Sequence, residues 1–322
     1  MGIESHNGTT STAGGPASGS ALSNIQISQI VLELIIAVIA VLGNSLTIAA
    51  VLLDRSMRRP TNYLVASLAA TDLLVGMVAI PLSLTAGDGF PRNNFLGCLT
   101  VNSLIVSFTQ VSIFGLLAIS LERFVAVRFP LRYRLLCDSR CVAVTVVMTW
   151  SCGAAVGFVP LMGWNLGPPS DGFCSFASVI DMKYMVYFIF FGCLLVPLLA
   201  VVCVYSYIFK VLMQRRSSRS SNAQSESADE RRAARSLALV VLLFAACWVP
   251  LNVLNCLSLL CGSRCSFPYE LLVFAILLSH ANSAVNPFVY AFTNTQFRKA
   301  YRRLLLCHRC RDVSPLHTVA QA

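Results

Sequence analysis

The sequence is short of charge. Only 12% of its 322 residues are Asp, Glu, Lys or Arg, against 56% apolar, and its mean hydropathy is +0.71. A soluble domain carries roughly 25% charged residues, so a fully water-exposed surface is excluded. Acidic residues are the scarcer sign, 14 against 24 basic, which gives a formal net charge of +10. Other signals are missing as well. The first 25 residues hold no Lys or Arg, no short apolar core and no cleavage signature, so no removable signal peptide is expected. No internal repeat and no relay of carboxylates runs along the chain, as a transporter or proton pump would need. There is no His-Glu-x-x-His run and no nucleophile with a matching base, which argues against an intramembrane enzyme. The alternating pattern of a membrane barrel is absent too.

What the sequence does have is seven long apolar runs, at about residues 26–53, 62–86, 96–125, 141–162, 182–213, 233–261 and 267–293. Each reaches the ~20 residues that a helix needs to cross a bilayer. Backbone groups in lipid must be paired internally, so these runs are expected as helices. The predicted fold is all-α: a seven-transmembrane helix bundle over 26–293. A disordered outer tail (1–25), a short amphipathic helix on the membrane surface (294–307) and an inner tail (308–322) complete the chain. In that surface helix Phe297, Tyr301, Leu304 and Leu305 alternate with Arg298, Lys299, Arg302 and Arg303, a pattern suited to anionic membrane lipids.

The positives then acquire a location. Of 24, 21 fall in the first, third and fifth connections and after the seventh run; only Arg92, Lys183 and Arg264 lie on the other face. The positive-inside rule puts the C-terminus in the cytoplasm and the N-terminus outside, and an odd number of crossings agrees. The net charge is therefore a topology signal, and a nucleic-acid partner is not expected. The sequon at Asn7 marks a candidate glycosylation site on the outer tail, and Cys307 and Cys310 are candidates for palmitoylation.

The 13 cysteines divide by compartment. Cys152, Cys193, Cys203, Cys247 and Cys256 lie within runs and are expected as small core residues. Cys137, Cys141, Cys307 and Cys310 lie inside, where disulfides are rare. Cys98, Cys174, Cys261 and Cys265 face the oxidising side, and four cysteines allow three pairings. Cys261 and Cys265 share one short loop; a Cys98–Cys174 bridge would pin the second outer loop over the bundle.

Ionisable residues inside a membrane are functional candidates by default. The runs contain Glu33, Asp72 and His280, with Glu122-Arg123 at the inner end of the third. Asp72 needs a cation or a proton. Ser112, Asn282 and Asn286 carry oxygens at similar depth, as does Asn44, so a sodium ion is a candidate; no other cofactor is expected. Pro197, Pro250 and Pro287 would bend the last three runs.

Together these residues resemble the rhodopsin-like G-protein-coupled receptors. The resemblance rests on Gly43-Asn44, Leu68-Ala69-Ala70-Thr71-Asp72, Glu122-Arg123-Phe124, Trp150, Cys247-Trp248-Val249-Pro250 and Asn286-Pro287-Phe288-Val289-Tyr290, in that order. Phe124 departs from the usual Tyr. Finer matches resemble the adenosine receptors: Gly163-Trp164-Asn165, Asp181 through Phe188, Pro250 through Cys256, and Leu278-Ser279-His280-Ala281-Asn282-Ser283. An amine receptor would want a carboxylate near Val106, and an opsin a lysine in 267–293; neither is present.

The resemblance implies a plasma-membrane receptor, not an enzyme, for adenosine or a related purine nucleoside, acting on a heterotrimeric G protein. The chemistry fits a nucleoside. Phe176 would stack on the base and Asn255 would pair with its edge, as amides do with adenine elsewhere. Ser279, His280 and Thr109 would meet ribose hydroxyls, with Glu33 orienting His280. Ile105, Val106, Met185, Leu251 and Ile276 would form the walls. Activation would pass through Trp248 to release Arg123, with Glu122, Tyr205 and Tyr290 at the inner end, while sodium at Asp72 would favour the closed state. Ala177, Asn252 and Ile189 stand where many relatives have Glu, His and Asn. Coupling to the stimulatory G protein is the first expectation; an inhibitory receptor for adenosine or inosine is the alternative.

Overall fold

Seven helices long and apolar enough to cross a bilayer stand among the described residues: Asn24–Leu53, Pro60–Ala86, Phe95–Arg128, Ser139–Gly157, Tyr184–Gln214, Ala238–Cys261 and Tyr269–Thr293, here spans 1 to 7. The computed structural model describes residues 24–87, 89–217, 224–261 and 267–306. Asn7, Cys265, Cys307 and Cys310 lie outside them.

The span ends follow local chemistry. Span 2 opens on Pro60 at its first turn, where a missing N–H costs nothing. The Asn94 side chain accepts from Gly97 N at the start of span 3, and Asp138 does the same for Cys141 N at span 4. Span 4 ends at Gly157 rather than near Met162 as the apolar run suggested; a 3₁₀ turn, Val159–Met162, carries Pro160 in its place. The helix of span 6 continues inward to Gln224.

Two spans widen into π-helical turns, Val75–Ala79 in span 2 and Tyr184–Leu195 in span 5. Each widening lies just ahead of a proline, Pro81 or Pro197. A proline ring crowds the carbonyl four residues earlier and gives it no donor, so the preceding turn opens. Pro250 and Pro287 lie inside continuous helices.

Span 3 runs through the middle, packed on spans 2, 4 and 5. Its contact with span 4 is backbone-close: a Cβ added at Gly157 would lie 2.1 Å from Ser107 Oγ and 2.5 Å from Ser107 backbone atoms. The inner apolar core joins Leu64, Leu68, Ile113, Ile119, Tyr205, Phe244, Tyr290 and Phe297. A smaller outer core joins Leu99, Val106, Val179, Ile180, Tyr184 and Ile189 around Cys98 and Cys174. Leu42, Val144, Leu242 and Phe292 are exposed on the bundle's outer face, as expected where the solvent is lipid. Among the intramembrane cysteines only Cys247 is fully buried; Cys152 and Cys203 are exposed on that face and are not core residues as expected, because each falls on the side of its helix turned from the bundle.

The surface helix is Thr295–Leu305, capped by Asn294 on Gln296 N. Phe297, Ala300 and Tyr301 are buried against the bundle. Two polar contacts tie it to span 1 and the loop after it. The Tyr301 and Thr47 hydroxyls are 2.7 Å apart, and Arg303 Nη1 is 3.0 Å from Asp54 Oδ2. Asp54 also accepts from the Ser56 N–H and hydroxyl. The Ser56 hydroxyl, chiefly, holds the Asp54 carboxyl below its ordinary range, with Arg303 adding to the effect.

Candidate functional site

The outer end of the bundle is roofed by the second outer loop. Cys98 at the start of span 3 is bridged to Cys174, and Cys261 is also disulfide-bonded. Immediately after Cys174, Ser175 forms a reciprocal capping box with Ser178 and starts the helical turn Phe176–Val179. Phe176 is thus set by two local constraints, and it packs on the outer core together with Met185. The loop's other arm is held by Gly163-Trp164-Asn165. Gly163 adopts φ +117°, which favours glycine. The Asn165 amide donates to Pro160 O and its oxygen accepts from Gly167 N. Trp164 Nε1 donates to Asp181 Oδ2 at 3.2 Å and its ring meets Tyr184 edge-on at 5.7 Å.

The polar residues of spans 1, 3, 6 and 7 differ in how they are paired. Glu33 is fully buried, and its Oε2 lies 3.4 Å from Nδ1 of the buried His280. Neither of those two atoms has a hydrogen-bond partner. The Ser279 hydroxyl donates to Ile276 O, and that of Thr109 to Ile105 O, so both use their own helices. Half-buried Asn255 makes no side-chain hydrogen bond among the described residues. Asn252, in contrast, donates to Trp248 O at 2.9 Å. Val106 and Ile189 are buried in the outer core, whereas Ile105, Leu251 and Ile276 are half-buried and Ala177 is exposed. The Trp248 indole N–H is buried and unpaired, and its ring lies 6.2 Å from that of Phe244. Gln110 in span 3 is among the buried residues not read from the sequence, and neither of its amide atoms is hydrogen-bonded. Its only signal was a polar side chain inside an apolar run.

At mid-depth Asp72 is fully buried. Its Oδ2 accepts from Asn286 Nδ2 at 2.8 Å and its Oδ1 has no partner. Asn44 donates to Ala40 O and Ser283 O and leaves its own buried Oδ1 unpaired. Ser112 and Asn282 are buried in the neighbouring spans 3 and 7. Asp72 Oδ1 and Asn44 Oδ1 are thus buried oxygens without partners, and oxygen donors with a carboxylate are the chemistry that a hard cation takes.

At the inner boundary Glu122 is a hub. Arg123 grips it with Nε on Oε2 and Nη2 on Oε1, both at 2.8 Å. The Thr61 hydroxyl lies 2.9 Å from each carboxylate oxygen, and Tyr133 donates to Oε1. Arg123 also reaches the Thr61 hydroxyl. Burial, with Glu122 beside it, pushes the Tyr133 phenol well above its ordinary range, so it remains a donor. The sequence indicated Glu122 and Arg123 but gave no sign of Thr61 or Tyr133, which come from other elements. Phe124 turns away from this hub, its ring 5.3 Å from that of Tyr207 on span 5. Tyr205 and Tyr290 are buried in the inner core, and the Tyr290 hydroxyl is unpaired.

Seven membrane-crossing helices, an outer loop pinned to span 3 by Cys98–Cys174, a buried mid-bundle carboxylate and an Arg–Glu hub at the inner end suit a seven-helix membrane receptor. Residues 43–290 match the 7 transmembrane receptor (rhodopsin family) pattern. The adenosine receptor A2a of Homo sapiens is 40% identical over 305 residues, covering 89% of this chain and 74% of that receptor. The adenosine receptor A2b of Homo sapiens is 39% identical over 302 residues, 86% and 91% of the two chains, and that of Rattus norvegicus 38% over 296. The chain belongs to the rhodopsin family of G-protein-coupled receptors and, within it, to the adenosine receptors. It is a multi-pass protein of the plasma membrane and a receptor, not an enzyme.

Proposed function

We propose that this receptor is activated by adenosine and raises cyclic AMP through the stimulatory G protein. The observation that carries the reading is the 40% identity to an adenosine receptor A2a; an unpaired Asn255 amide and a Glu33–His280 pair support it. Phe176 stacks on the purine. Asn255 offers one donor and one acceptor to the base edge. His280, Ser279 and Thr109 meet the ribose, with Ile105, Val106, Met185, Leu251 and Ile276 as walls. Ser279 and Thr109 remain able to do so because a hydroxyl donating to its own helix still has lone pairs to accept with.

Agonist acts only through its preference for the open state. In the closed state the Glu122 hub keeps Arg123 from the G protein. Contacts near Trp248 change the packing around Pro250, the inner end of span 6 moves, and Arg123 becomes available beside Tyr205 and Tyr290. Asp72, with Ser112, Asn282 and Asn286, would hold a sodium ion, which supplies a positive charge that favours the closed packing. A basic inner face meets anionic lipid and the G protein. Asn7 is proposed as glycosylated, and Cys307 and Cys310 as palmitoylated.

Ala177 and Ile189 supply no polar group, and the Asn252 amide is engaged with Trp248 O. These departures favour a second reading, in which inosine or another purine is preferred or the inhibitory G protein is engaged. Cyclic AMP measured in expressing cells given adenosine or inosine tests both. A rise with adenosine supports the first reading; a fall, or a response to inosine alone, supports the second. No response to either nucleoside refutes the first reading and, in the second, the preference for inosine.

A further inference from the structure

Resting on the reading that a nucleoside enters beside His280, we infer that Gln29 and Tyr269 form a clamp across the outer ends of spans 1 and 7 that positions Glu33 against His280 and so sets affinity for the ribose. The chain of contacts is continuous. The Tyr269 hydroxyl donates to Gln29 Oε1 at 3.1 Å, Gln29 Nε2 donates to Glu33 Oε1 at 3.1 Å, and Glu33 Oε2 faces His280 Nδ1 at 3.4 Å.

The direction of each bond follows from chemistry. The Gln29 NH₂ is turned toward Glu33, whose Oε1 accepts from it. Its carbonyl then points away and needs a donor, which the Tyr269 hydroxyl supplies. The network is self-consistent without any free choice of amide orientation. Gln29 and Glu33 are four residues apart, one helical turn on one face of span 1. Tyr269 and His280 are eleven apart, close to three turns, so they too share a face of span 7.

Glu33 is fully buried in an apolar helix. A buried carboxylate held at neither oxygen would be free to rotate. Gln29 fixes one oxygen and thereby aims the other at His280. Tyr269 is about half exposed and lies at the first residue of its helix, after the Pro268 cap. It is outside the pocket wall named above, so its effect passes through Gln29 and Glu33. Both are positioning residues, not contacts of the ligand.

The test is competition binding to membranes from cells expressing the full chain. Two ligands are used: adenosine, and a xanthine, which has the bicyclic base and no ribose. Tyr269→Phe and Gln29→Leu are each expected to weaken adenosine about three- to tenfold, the loss of one hydrogen bond in a chain to a charged group. Xanthine affinity and surface amount are expected to stay the same. The double variant should bind adenosine no more weakly than Gln29→Leu alone, because Tyr269 acts through Gln29. Unchanged adenosine affinity in the single variants overturns the clamp, as do equal losses for xanthine or additive losses in the double variant. Asn255→Ala, measured alongside, separates the two ideas. Its loss of adenosine binding with unaltered Tyr269→Phe binding rejects the clamp and leaves the nucleoside reading intact, whereas absent adenosine binding by the unmodified chain rejects both.

Discussion

Replacing Glu122 with Gln should switch the receptor partly on without ligand. The carboxylate accepts from Arg123 twice, from Thr61 and from Tyr133. Hydrogen bonds to a charged group contribute about 1.5–3 kcal/mol, neutral ones about 0.5–1.5. Neutralising Glu122 keeps its shape and removes the charge component. The Arg123 side chain is 25% exposed and Glu122 7%, so water screens part of that component. A net loss of about 1–2 kcal/mol from the closed state follows, a factor of ~5–30 in its ratio to the open state. If the open state holds about 1% of resting molecules, it would rise to between about 5% and 23%. The assay is binding of a non-hydrolysable GTP analogue to membranes without agonist, normalised to receptor at the surface. Thr61→Val, which removes one hydroxyl at nearly constant volume, should raise the same signal less. Basal binding unchanged in Glu122→Gln, at equal surface amount, would refute the role given to the hub.

Asp72→Ala should abolish the sensitivity of agonist affinity to sodium, read as the ratio of affinities in sodium and in a bulky organic cation; a ratio equal to that of the unmodified chain removes sodium from Asp72. Gly157→Ala should destabilise the bundle by about 1–3 kcal/mol, because the new Cβ would lie 2.5 Å from Ser107 backbone atoms; a melting temperature in detergent that does not fall contradicts that backbone-close contact. The Asp54 carboxyl is held below its ordinary value of 3.8, so its contribution is complete above about pH 4 and is lost only as pH falls through the depressed value. The melting-temperature difference between the unmodified chain and Asp54→Asn should therefore stay constant from pH 5 to 7; a difference that shrinks toward pH 5 would contradict the direction of that shift.

The fold was legible because lipid makes hydropathy a nearly complete code. Seven apolar runs and one-sided positives gave the number of spans and their orientation; of the prolines expected to bend helices, Pro197 follows the π turns of span 5 while Pro250 and Pro287 lie inside continuous helices. The π turns were not legible, since they depend on where a displaced carbonyl finds room. Nor was the exposure of Cys152 and Cys203, because an all-round apolar helix carries no mark of which face meets lipid. At the site, intramembrane Glu33, Asp72 and His280 stood out by cost alone. The further contacts of Glu33 and Glu122 did not: Gln29, Tyr269 and Thr61 are ordinary residues near span ends and Tyr133 lies in the short helix after span 3, and only packing brings them to a buried carboxylate. Phe124, a visible departure from the usual motif, proved to be a packing residue against Tyr207.

The central claim is that this receptor's outer site holds a nucleoside through Asn255. Saturable binding of tritiated adenosine to membranes bearing the unmodified chain, lost in Asn255→Ala at equal surface amount, is the predicted result. Absence of saturable binding by the unmodified chain, or binding that Asn255→Ala leaves intact, would contradict it.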